Sequence, residues 1–78
     1  MDSLLINRIT VNPSVSHGKP TLRNTRYMVE SILEYLAGGD SVDELLKEFP
    51  DLEREDILAC IAYATETIKF KDIKFIAA

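Results

Sequence analysis

The apolar residues follow two different periods, and the change of period divides the chain. Leu5, Ile6, Ile9 and Val11 form a β-prone run that Pro13 ends, which predicts extended structure. Gly18 and Pro20 punctuate a loop. The stretch "TLRNTRY" reads as a tight hairpin with Arg23-Asn24 at its tip, because asparagine tolerates the positive φ such turns require. From Met28 the spacing becomes i, i+3, i+4, i+7. Val29, Ile32, Leu33 and Leu36 mark one face of a first helix, which Gly38-Gly39 ends. "SVDE" is a capping box, Ser41 capping while Glu44 reaches back to its amide. Val42, Leu45, Leu46 and Phe49 are the buried stripe of a short second helix stopped by Pro50.

A third helix begins near "LEREDI", with Leu52 and Ile57 placed as a hydrophobic staple around a cap at Glu53. Glu55 and Asp56 suit the positive end of its dipole. Its inner face continues through Ile57, Cys60, Ile61, Ala64 and Ile68. In the tail, "KFKDIKFIAA", apolar and charged residues alternate again. It reads as a short C-terminal strand, able to pair with Leu5–Val11 of its own or a second chain. The expected fold is mainly α, a three-helix helix-turn-helix bundle preceded by a short β-containing N-terminal arm. Residues 1–27 are the basic arm and hairpin, 28–69 the three-helix core and 70–78 the basic-apolar tail, within one domain.

A chain of 78 residues buries only about 60% of the surface its unfolded form exposes, so self-association into a homodimer is expected to help stabilise it. One cysteine, Cys60, permits no internal disulfide and fits a reducing cytoplasm. The first residues do not read as a signal peptide, and no apolar run approaches bilayer length. The expectation is a soluble cytoplasmic protein.

Charge changes the picture more. The net charge is −4, but it is unevenly spread. The first 29 residues carry Arg8, Lys19, Arg23 and Arg26 against Asp2 alone, whereas over residues 30–68 the acids far outnumber Lys47 and Arg54. The tail is basic again through Lys69, Lys71 and Lys74. A basic arm on an acidic body suggests a partner met by the ends of the chain.

Catalysis is not expected. His17 is the sole histidine and reads as a loop residue without chemistry, and Cys60 sits at a core position with no activating base in view. No metal-ligand spacing or phosphate-cradling glycine loop is present, so neither metal nor cofactor is expected. For DNA, the start of the third helix would enter the major groove, yet it reads Glu53, Arg54, Glu55, Asp56. Three acids around one base repel phosphates, and an acidic helix start satisfying the dipole is the better reading. DNA binding would then need Arg8, Arg23 and Arg26 of the arm, with Arg54 reaching a guanine. The arginines also have a structural reading, in which Arg23 and Arg26 pair with Glu30, Glu34 or the acids of the second helix. Arg26 is balanced between the two roles, while Arg23, at a loop tip, leans towards a partner.

The order "RITVNP", "HGKP", "TRY", a helix, and "SVDELLKEFPDLEREDILACIAYA" closely resembles the bacterial domain-of-unknown-function 433 family, over nearly the whole chain from Arg8 onward. The most specific parts are Asn12-Pro13, Gly18-Lys19-Pro20, Thr25-Arg26, Phe49-Pro50-Asp51-Leu52 and Glu55-Asp56-Ile57. The resemblance implies a homeodomain-like fold and an antitoxin role in type II toxin–antitoxin pairs, beside a toxin resembling PIN-domain ribonucleases. Three positions depart from the family's usual pattern. Asn24 replaces glycine, Thr21 replaces cysteine, and Glu53 replaces a threonine or serine cap at a cost of about 1 kcal/mol.

The expected function is therefore antitoxin-like: binding a PIN-like nuclease toxin and, as a dimer, operator DNA. The alternatives are a stand-alone DNA-binding regulator and an interaction module without nucleic acid. PIN-like nucleases hold divalent metal with clustered carboxylates, so an inserted cation would displace the ion by charge pairing. Lys19, Arg23, Arg26, Lys71 and Lys74 are the residues placed to supply it, and Arg23→Ala or Arg26→Ala is expected to weaken the complex without unfolding the domain.

Overall fold

The structure, a computed structural model, describes residues 3–70. In chain order these form α1 (Ser3–Ile6), β1 (Ile9–Thr10), a short turn at Ser16–Gly18, β2 (Thr21–Leu22), α2 (Val29–Ala37), α3 (Val42–Glu48) and α4 (Arg54–Phe70). Helices α2, α3 and α4 make the expected three-helix bundle, with a two-stranded arm on its N-terminal side.

The arm is less extended than its β-prone composition predicts. Leu5 lies in α1, packed against the core, and the Arg8 amide donates to the Leu5 carbonyl to close the turn. The reason is geometric. A strand would send Leu5 and Ile6 to opposite faces, whereas the helical turn sets Leu5 against the core as α1 packs on α4. Extended structure is left at β1, which pairs antiparallel with β2 in the register Ile9↔Leu22 and Thr10↔Thr21.

The hairpin forms where expected. Arg23 and Asn24 both have positive φ (46° and 56°), and the Thr25 amide donates to the Leu22 carbonyl at 2.8 Å, a primed type I turn. Leu22 N–H to the Tyr27 carbonyl and a bridge between Thr21 and Met28 complete it. Thus β2 is central, paired with β1 on one side and the returning chain on the other. The strand expected in the tail lies outside the described residues, apart from Phe70, which belongs to α4.

Helix ends follow their local chemistry. Gly39, at φ 107°, ends α2 in a Schellman arrangement: its amide donates to Leu36 and that of Asp40 to Tyr35. Both halves of the Ser41–Glu44 capping box form at the start of α3. Leu22, Val29, Ile32, Leu45, Leu52, Ile57, Ala59 and Cys60 make one core, so the arm and the bundle share it. Phe49 closes one side, edge-on to Tyr27 at 5.7 Å between ring centroids and tilted against Tyr35 at 5.6 Å.

The inner face assigned to the third helix needs correcting. Ile57 and Cys60 are fully buried, but Ile61 is 42% and Ile68 is 63% exposed. The true buried arc is Asp56, Ile57, Ala59, Cys60 and Ala62. It is wide because α1, α2, α3 and β1 all pack on α4, and small residues such as Ala59 and Ala62 let them approach. Leu58, Ile61 and Ile68 are turned to solvent, a consequence invisible to periodicity alone.

Candidate functional site

At the first turn of α4 a carboxylate is wholly removed from solvent. Asp56 is 0% exposed, and four donors surround it. Its Oδ1 accepts from Arg8 Nη1 at 3.0 Å and Arg23 Nε at 3.0 Å, and its Oδ2 accepts from Arg23 Nη2 at 2.8 Å and the Glu53 amide at 2.8 Å. Arg23 therefore grips the carboxylate bidentately, the strongest geometry open to such a pair. Arg8 Nη1 also donates to Glu53 Oε1 at 2.7 Å, and Arg23 Nη2 to the Asp51 carbonyl at 2.9 Å. Tyr27 donates its hydroxyl to Asp51 Oδ2 at 3.3 Å.

Sequence and local structure explain the convergence. The left-handed backbone at Arg23, unusual for arginine, turns its side chain back over the start of α4, and the Arg23 amide donates to the Arg8 carbonyl at 2.7 Å. Asp56 reaches back to the Glu53 amide as the third residue of a capping box would, although Glu53 gives its own carboxylate to Arg8. Burial pushes the Asp56 carboxyl up, but the Glu53 amide and the two guanidiniums outweigh it, and the net result lies below the ordinary aspartate value. With all four acceptor directions used, the carboxylate has no lone pair for a substrate. The cluster is a clamp tying arm to bundle.

The other sequence-chosen residues are dispersed. Arg23, expected to lean towards a partner, instead turns its guanidinium onto Asp56, as does Arg8. Nor does Arg23 pair with Glu30, Glu34 or α3, as its structural reading had it. Lys19 pairs with Glu30 at 2.7 Å on the surface, and this contact raises the lysine's proton affinity. Arg54 pairs with Asp43 of α3, so the one base at the start of α4 is already engaged. Arg26 is exposed and makes no ion pair among the described residues. Lys71 and Lys74 lie outside them. Among the described residues no group of three or more His, Cys, Asp or Glu could hold a metal ion, and no helix is long and apolar enough to cross a membrane.

Sequence reasoning missed the Asp56 clamp and the solvent face of α4. Leu58, Ile61, Thr65 and Ile68 recur at helical spacing along that face, and the Thr65 hydroxyl donates to the Ile61 carbonyl. Beside the end of α4 is an apolar groove of about 380 Å³ formed by Pro20, Val29, Leu33, Tyr63, Ala64 and Ile68, rimmed by the Lys19–Glu30 pair.

A family described as "Protein of unknown function (DUF433)" matches residues 9–64. The chain belongs to the DUF433 family. An uncharacterized protein, y4eO of Sinorhizobium fredii (strain NBRC 101917 / NGR234), is 34% identical over 56 residues, which is 72% of this chain. This DUF433 chain spans only a quarter of that relative's length (25%). The crystal structure of a DUF433 member from Anabaena variabilis ATCC 29413 superposes with a TM-score of 0.75 at 33% identity, covering 86% of this chain and 66% of the other. The DUF433 match begins at β1 and ends within α4, so it includes Arg23, Asp56 and the hairpin.

Proposed function

We propose that this chain is the antitoxin-like member of a toxin–antitoxin pair and that it docks a PIN-like nuclease partner through the solvent face of α4. The observation that carries this reading is the chemistry of that face. A helix that reads DNA presents cations and hydrogen-bonding side chains to the groove. Here Arg54 is held by Asp43, Glu53 and Glu55 are exposed, and the face beyond them is Leu58, Ile61, Thr65 and Ile68. An apolar stripe of this kind favours a protein surface over phosphates.

The clamp changes the mechanism expected of the arm. Arg8 and Arg23 have internal work, so Arg23→Ala is expected to loosen the domain itself rather than report on a partner. The stand-alone regulator keeps Arg26 as its one arginine without an ion pair among the described residues, which makes it the weaker reading. Operator binding is secondary in this account.

The test is co-expression with the product of the adjacent gene, one partner tagged, and purification through high salt. A stoichiometric complex supports the proposal. A folded neighbour that does not bind, with the chain instead binding its own upstream DNA with a steep salt dependence, would support the regulator.

A further inference from the structure

We propose that the recess between Pro13–His17 and Arg26 is a binding site for a phosphate-type oxyanion. This inference is independent of the protein-docking face on α4.

Three observations converge there. First, the backbone is held in an unfavourable shape. Ser16, His17 and Gly18 are consecutively left-handed, with φ of 50°, 58° and 79°. Glycine suits that region and histidine adopts it more readily than most residues, but serine does not. The turn is pinned by Gly18 N–H to the Val15 carbonyl at 3.0 Å and Lys19 N–H to the Ser16 carbonyl at 3.1 Å. Before it, Asn12 Oδ1 accepts from the Ser14 amide at 2.9 Å. None of the turn's residues is buried, so no core packing offsets the strain. Strain kept without such compensation points to a shape held for use.

Second, that shape encloses a recess of about 450 Å³ lined by Pro13, Ser14, Val15, Ser16, His17 and Arg26. No carboxylate lines it. Its side chains offer a guanidinium, an imidazole and two hydroxyls. The guanidinium has five N–H donors, the imidazole at least one in either protonation state, and each hydroxyl one.

Third, Arg26 differs from the other arginines. Arg8, Arg23 and Arg54 are each paired with a carboxylate, whereas Arg26 makes no ion pair among the described residues. On a chain of net charge −4, a cation beside several other donors in a recess that no carboxylate lines is a local exception. Its complement is a group with several acceptor oxygens and negative charge. A tetrahedral phosphoryl group, with its several charged oxygens, accepts such donors from several directions and matches the planar fork of a guanidinium. The phosphoryl group can come from a free phosphorylated small molecule or from a nucleic-acid backbone.

The experiment is an amide NMR titration of the full chain at low salt, with inorganic phosphate against chloride of equal ionic strength, and in parallel with a short DNA duplex. Saturable shifts confined to residues 14–18 and 26 are expected with phosphate. Arg26→Gln is expected to weaken binding at least about tenfold, the loss of a charge-assisted hydrogen bond, with an unchanged thermal midpoint. His17→Gly removes the imidazole where the backbone suits glycine, and is expected to weaken binding with the fold kept. Tighter saturation of the same residues by the duplex assigns the phosphoryl group to a nucleic-acid backbone, while saturation by phosphate alone assigns it to a small molecule. Shifts located elsewhere, chloride-like behaviour in both arms, or equal affinity of Arg26→Gln would overturn the proposal.

Discussion

Replacing Asp56 with asparagine should cost this domain a large part of its stability. The substitution keeps the shape and leaves one oxygen able to accept from the Glu53 amide, but it removes the charge to which Arg8 and Arg23 are bound. Breaking a buried ion pair from one side costs about 3–5 kcal/mol. The Arg8 and Arg23 side chains are 27% and 40% exposed, so water partly recovers them, and the lower end, about 3 kcal/mol, is appropriate. Loss of a negative charge in the first turn of α4 adds about 0.3–1 kcal/mol through the helix dipole. Domains of this size have roughly 4–12 kcal/mol in total. The midpoint should therefore fall by about 12–30 °C, at ~4–8 °C per kcal/mol. The assay is urea and thermal unfolding of wild type and D56N at pH 7, followed by circular dichroism. It should be completed as a double-mutant cycle with Arg23→Gln, whose effect should nearly vanish in the D56N background. A loss below about 1 kcal/mol, or additive effects, would refute the clamp. The pH dependence has a fixed sign. A carboxyl depressed in the folded state contributes its full stability above the unfolded aspartate value near 4. That contribution disappears as pH falls through the lower folded value. Wild type and D56N should thus converge in acid.

The glycines ending α2 should behave oppositely. Gly39→Ala forces an alanine to φ 107° and should cost about 1–2 kcal/mol, whereas Gly38→Ala, in right-handed backbone, should be near neutral in the same urea melts. Ser41→Ala removes one half of the α3 capping box and should cost about 1 kcal/mol. The Cys60 thiol, pushed up to about 12 by burial and by the Asp56 charge, should resist a thiol reagent in the native state and react only on unfolding. Rapid native labelling would contradict its place in the core.

Local signals carried far in this chain. Ser41-x-x-Glu44, Gly38-Gly39 and Arg23-Asn24 specify a cap, a helix stop and a turn through interactions within a few residues, and each is found where it was read. What was not legible is long-range. Arg8 and Asp56 are 48 positions apart, and no spacing rule links an arm arginine to one acid among many. The Glu53-x-x-Asp56 spacing hinted that Asp56 reaches back, but not that it is buried. Likewise Ile61 and Ile68 fit an inner helical stripe, and only the packing of α1 and β1 on α4 shows that the buried arc is rotated away from them. The β-prone Leu5-Ile6 pair became helical for the same reason, tertiary contact outweighing propensity.

The central claim is that the outer face of α4 binds protein. The most direct test is charge insertion on that face in the co-expressed pair, capturing the neighbour with wild type, Leu58→Glu/Ile61→Glu and Arg26→Gln in about 1 M salt, where exposed charge pairs are screened. Leu58 and Ile61 are each 42% exposed, so the double variant is melted beside wild type to show that it is folded. The account predicts a complex that survives high salt and Arg26→Gln but is lost in the double glutamate variant. A complex that tolerates both glutamates, or none from two folded partners, would contradict it.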